Sequence, residues 1–362
     1  YSATLRMQTP NIGDLEEFYR EARALYDSDP DFAAKARETV VMLQRGDSHI
    51  LQLWKMFTKV SLRHCEAAYE RLGILLTRDD VCGESFYNDD LAVVIDDLRT
   101  AGLLQESQGA QCVFPAGFED KEGNPQPMIV QKSDGGYLYA TTDLAAIRHR
   151  IGTLGGDRLL YVTDARQAFH FKQLFTVAQS AGFAPEAVSL EHVPFGMMLG
   201  DDHRPFKTRD GGVIKLVDLL DEAAERAYAF VSAKSPELPE AERREIADVV
   251  GIGSVKYADL SQHRSSDYVF AWDKMLSLDG NTAPYLQYAY ARIRSIFRKA
   301  ELADGALADL SPHVEAPAER LLAVKLLQFN EMLDVVAAES APHQLCAYLY
   351  DLAGAFMGFY EA

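Results

Sequence analysis

Between Gly136 and Phe195 the chain alternates short apolar runs with amphipathic stretches, a rhythm that few folds accommodate. Gly136-Tyr-Leu-Tyr-Ala-Thr141 reads as a strand and Asp143 to Ile151 as a helix opened by Thr142. Arg158 to Thr163 reads as a strand, Gln167 to Ser180 as a helix and Val188 to Phe195 as a third strand. With right-handed crossovers, β-α-β-α-β makes half of a parallel sheet whose ligands sit at the C-terminal strand ends.

Three segments fall at that mouth. Tyr139 stands near the end of the first strand and Asp143 at the start of the next helix, where a helix N-terminus keeps a carboxylate ionised and suits a cationic ligand. The plain alternative is that Asp143 only caps the helix. Gln167 and His170 begin the following helix; the Gln167 amide could reach the same ligand, whereas His170 taken alone reads as an ordinary helix residue. The third strand runs into His192-Val-Pro-Phe-Gly-Met-Met-Leu-Gly200, then a polar turn and Phe206-Lys-Thr-Arg-Asp-Gly-Gly212. A loop with Arg204, Lys207 and Arg209 beside paired glycines is able to close over a phosphate chain; otherwise it is a surface hairpin with a basic tip.

Elsewhere the pattern is helical. Apolar residues recur at helical spacing from Asp14 to about Leu76 and again from Leu91 to Leu104; short apolar runs begin with Cys112-Val-Phe and Met128-Ile-Val. Leu216 to Lys234 predicts a helix with Leu219, Leu220, Ala223, Ala224, Ala227 and Phe230 inward, followed by the linker Ser235-Pro-Glu-Leu-Pro239. From Glu240 the chain is helical, broken at Gly280 to Pro284 and around Asp304 to Pro317. An α/β domain followed by an all-α domain is the expected architecture.

Composition narrows the function classes. At 362 residues, 48% hydrophobic and 25% charged, the chain has the make-up of a globular enzyme. No apolar run reaches membrane-span length and the N-terminal residues lack a signal-peptide layout, so no membrane role and a cytoplasmic location are expected. A net charge of -18 argues against non-specific coating of nucleic acid, which is driven by phosphate neutralisation. Cys65, Cys82, Cys112 and Cys346 are too scattered for a zinc knuckle or a disulfide framework, and no metal-ligand cluster is written.

The order and spacing of these segments resemble the arginyl-tRNA synthetases. The likeness runs from Gly13-Asp-Leu-Glu-Glu-Phe-Tyr through Thr77-Arg-Asp-Asp-Val, Gly135-Gly-Tyr-Leu-Tyr-Ala-Thr-Thr-Asp and Phe195-Gly-Met-Met-Leu-Gly to Val255-Lys-Tyr-Ala-Asp-Leu-Ser and Asn281-Thr-Ala-Pro-Tyr-Leu-Gln-Tyr-Ala-Tyr-Ala-Arg. The resemblance implies an α/β, Rossmann-type class I synthetase catalytic domain, in its second half, followed by an all-α anticodon-binding bundle. It implies a helical connective part over 1–110, the half-domain with its signature loop over 111–220, a stem-contact region over 221–275 and an anticodon domain over 276–362.

Carried over by position, Tyr139, Asp143 and Gln167 bind the arginine side chain; Phe195, Gly196, Met197 and Met198 meet ATP, with His170 grouped beside them. Lys207, Thr208 and Arg209 match a degenerate Lys-Met-Ser-Lys-Ser loop in which threonine replaces the second lysine. Tyr288, Arg292, Arg294, Arg298 and Lys299 face tRNA, with Lys256, His263, Arg264 and Lys274 extending the track. The alternative there is a solvated basic face over buried tyrosines.

The implied partners are tRNA(Arg), L-arginine and ATP, with Mg2+ arriving on ATP and a monomeric enzyme. The His-Ile-Gly-His signature is not found, so this sequence is expected to be an internal portion of a longer enzyme, inactive alone. Two other readings stand beside it: a non-catalytic tRNA-binding or regulatory relative, and a nucleotidyltransferase using the same half-sheet.

Overall fold

The computed structural model describes residues 12–204, 215–303, 305–307, 311 and 313–362. The chain divides into two compact units, one up to Val81 and one from Cys82 onward.

Among its described residues the first unit contains the α-helices α1 (Ile12–Ser28), α2 (Pro30–Gln44) and α3 (Ser48–Leu72), followed by a 3-10 turn at Arg78–Asp80. Each boundary has a chemical cause. Asp29 accepts from the Asp31 and Phe32 amides, with proline at the first helical position of α2. Asp47 does the same for α3, which ends on Gly73 in the left-handed region at φ 66°.

The second unit opens with α4 (Leu91–Thr100) and an antiparallel sheet of β1 (Leu104–Ser107), β2 (Ala110–Val113) and β3 (Met128–Gln131). Next come α5 (Tyr139–Gly152), β4 (Arg158–Asp164), α6 (Ala168–Ser180) and β5 (Ser189–Phe195). β4 and β5 pair in parallel from Arg158 opposite Ser189 to Asp164 opposite Phe195, with α6 as the crossover. Leu98, Val130, Leu144, Ile147, Leu174 and Val177 are fully buried where α4, β3, α5 and α6 meet. On β4 the period-two alternation is plain: Leu159 and Tyr161 are buried, Leu160 and Val162 exposed.

The strand expected over Gly136 to Thr141 does not form. Gly135 at φ 84° makes a turn closed by Lys132 and Gly136, and α5 then starts at Tyr139, ahead of the expected Asp143. The reason is the burial period. Ala140, Leu144, Ala145 and Ile147 share one helical face, and the Thr141 hydroxyl donates to the Val130 carbonyl, tying the first turn of α5 to β3. The parallel sheet built on β4 and β5 therefore has, among the described residues, two strands rather than three.

Helices α7 (Leu216–Lys234) and α8 (Glu240–Leu260) form a hairpin around the expected linker. Leu219, Leu220, Ala223 and Ala227 are buried as expected; Ala224 and Phe230 are only half-buried, and Val231 is the buried residue of that last turn. Two short strands escaped the sequence reading: β6 (Met198–Leu199) pairs in parallel with β7 (Tyr268–Val269). The chain ends in α9 (Trp272–Met275), α10 (Ala283–Lys299), α11 (Pro317–Leu327), α12 (Phe329–Glu339) and α13 (Pro342–Glu361).

Candidate active site

Because α5 begins at Tyr139, Tyr139 and Asp143 are separated by four residues on one helix and lie on the same side of its first turn. Tyr139 is 70% exposed, while the Asp143 side chain is two-thirds covered. The covering group is His170 in the first turn of α6, whose Nε2–H donates to Asp143 Oδ2 at 2.7 Å. His170, grouped with the nucleotide residues from sequence, is thus joined to the carboxylate. Gln167 directly precedes α6 and is exposed on the same turn.

The floor beneath is aromatic. Phe171 stacks on His192 with centroids 4.9 Å apart, and Tyr161 packs against Phe171 and Phe175. Burial, with the nearby Arg264 charge, pushes the His192 imidazole below its ordinary value, and its Nε2 contacts the Thr163 hydroxyl at 2.9 Å.

The strand end behaves differently from a free nucleotide edge. Gly196 N–H donates to the Arg264 carbonyl at 2.7 Å and Met197 N–H to Asp267 Oδ1 at 2.7 Å. The Met197 carbonyl accepts from Tyr268 N–H at 3.1 Å. Within the Phe195–Met198 segment assigned to ATP, the Gly196 and Met197 amides are therefore both engaged inside the protein. Phe195, 46% exposed, lines a 760 Å³ cleft with Gly196 and Met198, together with Gln262, His263, Arg264 and the stretch around Ser340. That volume is of small-ligand size. Lys207, Thr208 and Arg209 lie outside the described residues.

On α10, Arg292 donates to the Tyr288 hydroxyl at 3.0 Å, as their i, i+4 spacing foretells, and also lies over the Tyr360 ring of α13 at 4.4 Å. Tyr288 is 46% exposed, and Arg294, Arg298 and Lys299 are exposed beside it, so the reading of buried tyrosines does not hold for Tyr288. Arg264 leaves the basic track altogether: its guanidinium donates to the Ser340 and Pro194 carbonyls at 2.9 and 3.2 Å.

Sequence reasoning missed Arg158 and Glu191, which form a bidentate pair at 2.7 and 2.8 Å across β4 and β5. No local pattern marks a bond between residues so far apart in the chain. The Arg158 hydrogen bonds, then the Ser189 hydroxyl, lower the Glu191 carboxyl from 4.5 to about 2. A carboxyl depressed in the folded state adds stability above its unfolded value, and loses it as pH falls from about 4.5 toward 2. Acid unfolding of the 362-residue chain should therefore be steeper in that window than for Glu191→Gln. Parallel curves for the two proteins would remove the pair from the pH-linked stability.

Among known proteins, the family described as "tRNA synthetases class I (R), catalytic domain" matches residues 2–272, and the "DALR anticodon binding domain" matches residues 286–362. The arginine–tRNA ligase of Laribacter hongkongensis is 57% identical over 351 residues, covering 97% of this chain and 61% of that protein. The arginine–tRNA ligase of Alcanivorax borkumensis is 58% identical over 350 residues, with 97% and 60% covered. The chain thus spans 60–61% of the length of these two relatives. Arginyl-tRNA synthetase from Plasmodium falciparum superposes with a TM-score of 0.82 at 30% identity, covering 99% of this chain and 58% of that one.

Proposed function

The chain belongs to the class I arginine–tRNA ligase family, and we propose that the enzyme built on it joins L-arginine to ATP, giving arginyl-adenylate and pyrophosphate, then transfers the arginyl group to the 3′ end of tRNA(Arg). Family membership sets aside the nucleotidyltransferase reading. The observation that carries the proposal is the hydrogen bond of His170 to Asp143, which joins the first turns of α5 and α6, with Tyr139 exposed one turn before Asp143 and Gln167 exposed just ahead of α6.

A guanidinium offers a planar fork of donors, and a carboxylate takes two of them at once. His170 occupies only part of the acceptor capacity of Asp143, through Oδ2. The remaining lone pairs receive the substrate, with Gln167 supplying an amide and Tyr139 a ring over the side chain. Lysine cannot make the fork, and citrulline lacks the charge.

Phe195 to Met198 and the 760 Å³ cleft accept the adenine side of ATP, with Mg2+ arriving on its phosphates and Lys207, Thr208 and Arg209 acting on the leaving pyrophosphate. The α10 face with Tyr288, Arg292, Arg294, Arg298 and Lys299 receives the anticodon arm. The domain limits follow the same reading: 1–110 connective, 111–220 catalytic, 221–275 stem-contacting and 276–362 anticodon-binding. We place the enzyme in the cytoplasm as a monomer.

The test is charging by the full-length protein. With ATP and tRNA(Arg), labelled arginine should become acid-insoluble while lysine and citrulline remain at background. Equal incorporation of lysine, or none of arginine, would overturn the assignment.

A further inference from the structure

Two arginines from distant parts of the chain close on one helix end. α12 stops at Glu339, with Ser340 in the left-handed region at φ 50°, and its last carbonyls have no partners within the helix. Arg158, the first residue of β4, donates to the Ala337 carbonyl at 2.6 Å, the Ala338 carbonyl at 3.0 Å and the Ser340 hydroxyl at 3.3 Å. Its Nε, together with the Nη2 that also serves Ala338 and Ser340, holds Glu191 on β5. Arg264 donates from Nε to the Ser340 carbonyl, from one terminal nitrogen to the Glu339 carbonyl at 3.5 Å and from the other to the Pro194 carbonyl in β5.

Cations at a helix C-terminus are favourable by themselves. Both guanidiniums do more than cap. Arg158 is anchored to β5 through Glu191, and Arg264 holds the end of β5 through the Pro194 carbonyl and the residue just beyond it, because its own carbonyl takes the Gly196 amide at 2.7 Å. The clasp borders the cleft directly: Pro194, Phe195 and Gly196 form one wall, Arg264 lies between, and Ala337, Ser340 and Pro342 form the other. The width of the cleft is therefore set where the C-terminal helices meet the strand.

We propose that Arg264, with Arg158 as its brace, is a positioning residue that fixes the Pro194–Met197 segment at the end of β5 against the end of α12 and so sets the shape of the nucleotide cleft. The idea deepens the reading of this cleft as the ATP site and rests on it. Arg264 does not touch the reacting atoms. Its loss should act on ATP binding, leaving arginine binding at Asp143 and the chemistry intact.

The first arm uses arginine-dependent exchange of pyrophosphate into ATP by the full-length enzyme with tRNA(Arg) present. Arg264→Ala should raise the KM for ATP about tenfold, the scale of a lost charge-assisted hydrogen bond, with kcat and the KM for arginine within about twofold. Arg264→Lys keeps the charge without the fork and should recover only part of the loss. A residue that merely supports folding would lower the active fraction, reducing kcat with both KM values unchanged; that result, or equal rises in both KM values, overturns the proposal.

The second arm is hydrogen exchange on the 362-residue chain without ligand. In Arg264→Ala and Arg264→Lys, the segment containing Gly196 and Met197 should exchange about tenfold faster while α6 stays as protected as in the parent. Unchanged exchange in that segment overturns the clasp. Absence of exchange activity in the parent enzyme would instead strike the ATP reading, and the second arm still decides the clasp.

Discussion

Asp143→Asn in the full-length enzyme should raise the KM for arginine by about 10²-fold or more, with the KM for ATP within about twofold. The substitution keeps the shape and removes the charge, and the neighbouring imidazole makes matters worse. His170 presents Nε2–H to the Oδ2 position, so the amide that replaces the carboxylate turns its oxygen toward His170. Its NH2 then faces the substrate guanidinium, donor against donor. Hydrogen bonds to charged groups are worth about 1.5–3 kcal/mol each, and losing the pair gives the stated factor. Steady-state exchange kinetics with each substrate varied in turn measures it. Equal rises in both KM values would take Asp143 out of the arginine pocket.

That site was only partly legible from the chain. Asp143, Tyr139 and Gln167 came from position within a resembling motif, but their arrangement came from a boundary that sequence misread. Tyr137-Leu-Tyr139 alternates in the manner of a strand, whereas Ala140, Leu144 and Ile147 keep helical period, and burial decided for the helix. α7 was read to the residue because the Ser235–Pro239 linker bounds it on one side and apolar residues recur along it at helical spacing.

What could not be read is what depends on long-range register. The bond of His170 to Asp143 joins two helix starts; β6 and β7 are two residues each and define one another only by pairing; Arg158 finds Ala337 through space alone. Polar residues at such junctions look, in sequence, like any solvated arginine or aspartate. Arg264 is the plainest case, since it was grouped with Lys256, His263 and Lys274 as an extension of the tRNA-facing track, yet its donors serve backbone carbonyls on both sides.

Gly196→Ala should destabilise the second unit by about 3–5 kcal/mol, summing overpacking of about 1–3 with the loss of one or two hydrogen bonds. The cause is crowding rather than an unusual φ. A Cβ at Gly196 would stand 2.4 Å from the Ser266 carbonyl oxygen, 2.5 Å from its carbon and 2.8 Å from the Asp267 nitrogen, all of them backbone. Neither side can withdraw cheaply. On one side the Gly196 and Met197 amides are tied to Arg264 and Asp267; on the other, Tyr268 and Phe270 donate to the Met197 and Leu199 carbonyls at 3.1 and 2.8 Å. Relief of the clash must stretch at least one of these bonds.

Gly152→Ala is the matched control, because nothing lies within 4 Å of a Cβ there and its φ is unexceptional. It should be neutral or slightly stabilising, by up to about 1 kcal/mol. Trp272, at the start of α9 and in edge contact with Phe270, reports on this region by fluorescence once Trp54 in the first unit is replaced by phenylalanine. Urea unfolding followed at Trp272 should place the Gly196→Ala midpoint well below both the parent and Gly152→Ala. Coincident midpoints would mean that the strand and the Ser266 peptide part without loss, and a strand that parts so easily could not hold the cleft to one width.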